Sequence, residues 1–107
     1  MLIDFLQIEE TIVPNMNGGE GSVAARMIVN DAGRFIECRI LPGSSIGEHE
    51  QQSGNDVNFV VAGRGHALCD GEREELVAGV CHICPKGSCH AIFNDAEEDL
   101  VLWTVVA

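Results

Sequence analysis

Residues 79–94 read GVCHICPKGSCHAIFN. Two short apolar runs, VCHIC (80–84) and CHAIFN (89–94), flank Pro85-Lys86-Gly87, a Pro/Gly combination that marks a turn. Each run is too short for a stable helix and reads as a strand. Two of the chain's four histidines, His82 and His90, lie on these strands, eight positions apart.

The same punctuation extends in both directions. Towards the N-terminus, SVAARMIVN (22–30) and RFIECRIL (34–41) are strands joined through Asn30-Asp31-Ala32-Gly33, a hairpin turn. DVNFVVAG (56–63) and GHALCD (65–70) flank Gly63-Arg64, and Asp70-Gly71 turns the chain into EREELVAG (72–79). DLVLWTVVA (99–107) closes the chain. Roughly ten short strands with brief connections leave little room for helix and predict an all-β sandwich or barrel. QQSGN (51–55) reads as a loop in this register. With 107 residues and no linker or repeat, residues 1–107 are expected to form a single domain.

Composition bounds the function. Hydrophobic residues make up 46% and charged residues 21%, an ordinary globular balance. A formal net charge of −11 argues against nucleic acid or an anionic membrane surface as partner. The N-terminal MLIDFLQIEE lacks the basic, then apolar, pattern of a signal peptide, so a cytoplasmic protein with five reduced cysteines is expected. Cys81-x-x-Cys84 has a zinc-ligand spacing. Strand alternation, however, sends its two thiols to opposite faces, and no second pair exists to complete a site.

A second constellation lies upstream in PGSSIGEHEQQSGNDVNFVVAG (42–63). His49 follows Gly43 after five residues, Gln51 shares its strand face, Asp56 comes four residues later and Gly63 six after that. Together with Gly79, Pro85, Gly87, His90 and Asn94, these spacings resemble the paired motifs of the cupin superfamily, G-x5-H-x-H-x4-E-x6-G and G-x5-P-x-G-x2-H-x3-N. The second is matched at every defined position. The first departs at two, where Gln51 replaces histidine and Asp56 replaces glutamate. The 15 residues between Gly63 and Gly79 suit a compact member, and the chain is similar to the small single-domain bacterial cupins.

The resemblance implies a double-stranded β-helix, or jelly-roll barrel. It implies a divalent transition metal (Fe, Mn, Ni or Zn) held inside at the positions of His49, Gln51, Asp56 and His90. A carboxamide is a weaker donor than imidazole, and aspartate is one methylene shorter than glutamate, so two readings stand. In one, His49, His90 and Asp56 form a two-histidine, one-carboxylate set that leaves coordination positions open for a small polar organic substrate, in an oxygenase- or isomerase-type enzyme. In the other, the pocket binds a small molecule without metal or catalysis. Glu48 and Glu50, which alternation places opposite His49, are expected at a solvated edge. Arg26 and Arg39 are candidates to face a carboxylate from the pocket wall. Asn58, His82 and Ile92 are further candidate pocket residues. The resemblance also implies a homodimer, with Phe59 and Trp103 in the core or at the interface.

Overall fold

The computed structural model describes all 107 residues and contains ten antiparallel strands in two sheets. The larger sheet runs β1 (Thr11–Pro14), β2 (Ser22–Asn30), β3 (Gly33–Ile40), β10 (Leu100–Val106), β5 (Asp56–Ala62), β8 (Cys81–Cys84). The smaller runs β4 (Ser45–Glu50), β9 (Cys89–Asn94), β6 (Arg64–Cys69), β7 (Glu72–Val77). Two 3-10 turns, Phe5–Gln7 and Met16–Gly18, are the only helical pieces. The expected all-β jelly roll is the fold found.

Strand alternation builds the core. Val23, Ile40, Val60, Ala67, Leu76, Ile92, Leu100 and Leu102 pack between the sheets with almost no exposed surface. Most of their neighbours in sequence point outward, although Ala24 and Ala91 are buried as well. Burying one Leu or Ile in this way contributes about 1.5–3 kcal/mol.

Two connections that read as simple turns are crossings between sheets. At Gly63 (φ +90°) the chain passes from β5 to β6, and a Cβ there would collide with the Asp99 carbonyl. Pro85–Ser88 carries it from β8 in one sheet to β9 in the other. The stretch 79–94 is therefore not a hairpin. It wraps from one wall of the barrel to the facing wall and so brings His82 and His90 together.

One irregularity positions the site. The β4–β9 register shifts between Ile46 and His49, so strict alternation is broken once. Ile46 and His49, three residues apart, consequently both face the interior. Gly47 sits at this bulge because the backbone of Asn17 and Gly19 lies against it, leaving no room for a side chain.

Candidate metal centre

His49 and Gln51 arrive from the end of β4, Asp56 from the first position of β5, and His90 from the start of β9. His49 and His90 are directly opposed in the β4–β9 ladder. Asp56 is pinned between Val106 on one side and Cys84 on the other. One donor atom from each of His49, Asp56 and His90 lies within 4.8 Å of the others. His90 Nε2 is 3.1 Å from His49 Nε2 and 3.1 Å from Asp56 Oδ2, and His49 Nε2 is 3.2 Å from Gln51 Oε1. The structure thus brings together all four residues that the resemblance to the cupin motifs singles out.

The hydrogen-bond partners assign the tautomers. His49 Nδ1 lies 2.8 Å from the Gly47 carbonyl oxygen, which can only accept, so Nδ1 donates and Nε2 keeps its lone pair. Glu74 Oε1 is 2.8 Å from His82 Nδ1, which therefore donates to the carboxylate. In a neutral His82 this leaves Nε2 as acceptor, 2.9 Å from His90 Nδ1, so His90 donates backward and turns an Nε2 lone pair towards His49 and Asp56. With both imidazoles neutral and the Gln51 amide oxygen turned inward, two imidazole nitrogens, a carboxylate oxygen and a carboxamide oxygen converge with no proton among them. Facing acceptors repel unless a cation lies between them. Their separations of 3.1–3.2 Å are also close to the roughly 3 Å expected between neighbouring donors at right angles around a metal with bonds of about 2.1 Å. The donor set fits a divalent metal.

Glu74 is the participant that sequence reading missed. EREELV reads as a solvated strand. Leu76 is buried, however, and alternation from it turns Glu74 inward, where its half-exposed carboxylate reaches His82. His82 is fully buried behind His90 and does not line the cavity.

The centre opens on a cavity of about 440 Å³ walled by Ile36, Ile46, Ile92, Leu102 and Val106. Asn58 lies in this wall, but its amide is occupied by the Asp56 and His82 carbonyls and by the Thr104 hydroxyl at 2.7 Å. Cys38 also lines it, and burial, with the Asp56 charge adding to it, pushes this thiol up to about 12. Cys38 stays a neutral, inert wall residue at ordinary pH.

Two further expectations are corrected. Arg39 turns away from the cavity to hold Glu10 at 2.8 Å and Asp99. Arg26 lies against the Phe5 carbonyl on the same outer face. The outward row of β2 and β3 carries both, and the arginine that lines the cavity is Arg34. Glu50 is solvent-exposed, as expected of an edge residue, and also borders the cavity mouth.

The family model described as Cupin domain matches residues 36–106. The chain belongs to the cupin family. Among curated proteins, this cupin is 26% identical to an oxalate-binding protein of Thermotoga maritima, over 99% of its own length and 93% of the relative's. Among solved structures, a predicted oxalate decarboxylase from Thermotoga maritima superposes with a TM-score of 0.90 at 25% identity, covering 99% of this chain and 97% of that one. An RmlC-like cupin from Shewanella frigidimarina gives 0.76 at 18% identity over 94% and 84% of the two chains, a likeness of fold. No helix of this cupin is long and apolar enough to cross a membrane.

Proposed function

We propose that this cupin holds one divalent first-row transition metal with His49, Gln51, Asp56 and His90. It would use that metal on a small carboxylic acid in the cavity, as an oxygenase- or isomerase-type enzyme. The observation that carries this reading is the convergence of four acceptor atoms whose tautomers are set from behind. A bound ion would supply Lewis-acid polarisation of a ligand oxygen or activation of dioxygen. With two nitrogen and two oxygen donors the set is harder than three imidazoles and a carboxylate, which favours Mn(II) or Fe(II) over Ni(II) or Zn(II).

The chain's own residues divide the remaining work. The aliphatic wall excludes water from the bound acid and strengthens polar contacts inside. Glu50, the lining carboxylate outside the donor set, is placed to take or give a proton at the mouth. The choice of a carboxylic acid draws support from the relative named an oxalate-binding protein.

The same relative's name favours a second reading, a binder without turnover. Incubating metal-loaded protein with oxalate and small keto acids, with and without dioxygen, and following them by NMR separates the two. Turnover selects the enzyme, binding alone selects the binder, and neither result is compatible with a protein that engages no acid.

The chain is further expected to form a homodimer. Phe59 and Trp103, paired across β5 and β10, are each 51% exposed, and Val61 and Ile83 extend the apolar patch on the outer face of the larger sheet. Sedimentation at micromolar concentration should give a dimer that Trp103→Glu dissociates, and a monomeric parent contradicts this. Five unpaired cysteines suit a reducing, cytoplasmic compartment, which cell fractionation checks.

A further inference from the structure

Apart from the donors of the candidate metal centre, the cavity wall carries one cationic side chain, Arg34. Arg26, Arg39, Arg64 and Arg73 each hold an oxygen of the protein. Arg34 makes no such contact. It is the one basic side chain among the cavity-lining residues, and it lies at the mouth, exposed to entering solutes.

Its place in the sheet is fixed by register. Arg34 is opposite Val106, and Val106 is opposite Asp56, so the three share one cross-strand row that faces the cavity. Two strand spacings, roughly 9–10 Å at the backbone, separate Arg34 from the Asp56 position. Between them the floor is apolar: Val106 lies in the row itself and Ile36 in the next row, where the Asn58–Thr104 pair has its hydrogen bonds satisfied internally. A chain of net charge −11 repels small anions at long range, so an anionic ligand must be won by local cations. A free guanidinium fork suits a carboxylate, which it pairs with two parallel hydrogen bonds.

We propose that Arg34 is the second anchor of the cavity and that the ligand is a short-chain dicarboxylate. One carboxylate goes to the metal centre, the aliphatic spacer lies along Val106 and Ile36, and the far carboxylate pairs with Arg34. This rests on the metal reading above and adds the length and charge of the ligand. A diacid as small as oxalate spans too little of the floor to touch both anchors. A four- or five-carbon diacid spans it.

The test compares metal-loaded parent, Arg34→Gln and Arg34→Lys proteins by calorimetric titration with oxalate, succinate, glutarate and butyrate, after metal content is measured. The parent should bind succinate or glutarate roughly tenfold or more tighter than butyrate, the increment of a charge-assisted bidentate contact. Arg34→Gln should erase that preference while leaving metal content and oxalate binding unchanged, and Arg34→Lys should restore part of it. A parent without the preference, an Arg34→Gln protein that retains it, or a loss shared equally by oxalate overturns the second anchor alone. Failure of all three proteins to take up metal overturns the metal reading and this inference with it.

Discussion

At the scale of single residues, the centre depends on where protons sit. The Gly47 carbonyl and the Glu74 carboxylate act from opposite sides. Each forces a neighbouring imidazole nitrogen to donate outward and so leaves the inward nitrogens free. Glu74→Gln keeps an oxygen for His82 but removes the charge behind the relay. Metal affinity should fall about tenfold, the usual cost of losing a partner behind a ligand, with little change in the melting temperature of the metal-free protein. Competition against a chelator gives the affinity, and an unchanged value shows that the relay does not act on the metal. His49, His90, Gln51 and Asp56 were legible through the resemblance of their spacings to the cupin motifs. Glu74 was not, because its neighbours Glu72, Arg73 and Glu75 make the strand look wholly solvated. Only the burial of Leu76 two positions on gives its direction away. The pocket arginine was misassigned for a related reason. Arg26, Arg34 and Arg39 all lie on strands, and sequence does not tell which parity faces inward until the partners Glu10 and Asp99 are seen drawing Arg39 outward.

At the scale of elements, β9 carries His90 and must start in register. Asp70, in the β6–β7 turn with φ +48°, ties that start down. Its carboxylate accepts from the Cys89 amide at 3.0 Å, and its own amide donates to the Cys89 carbonyl. The Cys89 N–H and the Ser88 hydroxyl hold the Asp70 carboxyl below its ordinary value. Because the folded value is depressed, the contribution is fully present above the ordinary aspartate range and is lost as pH falls through the lower folded value. Thermal melts between neutral pH and about pH 3 should therefore show a smaller acid-induced loss in Asp70→Asn than in the parent. Identical pH profiles show that the turn does not anchor β9. The strands and the β2–β3 turn were readable from alternation and from Asn30–Gly33. The bulge at Gly47 was not, since its cause is the backbone of residues 17–19 pressing on β4 from elsewhere in the chain.

At the scale of the whole molecule, two sheets enclose an aliphatic core on one side and a polar, metal-competent floor on the other. The fold was legible because glycine and proline punctuation and fixed motif spacings survive without knowledge of contacts. The sheet assignment was not, because crossings at Gly63 and at 85–88 look like ordinary turns. The crossing at 51–55 from β4 to β5, with that at 85–88 leading into β9, brings donors from β4, β5 and β9 to one point. Despite Gln51 and Asp56, this point is expected to hold a metal. The direct measurement is metal content by elemental mass spectrometry, on tag-free protein purified without chelators and then incubated anaerobically with Mn(II) or Fe(II) and desalted. About one equivalent per chain is predicted for the parent, near zero for His90→Ala, and tighter retention for Gln51→His, which restores an imidazole donor. Less than about 0.1 equivalent in the parent, unchanged by incubation with Mn(II), Fe(II), Ni(II) or Zn(II), contradicts it.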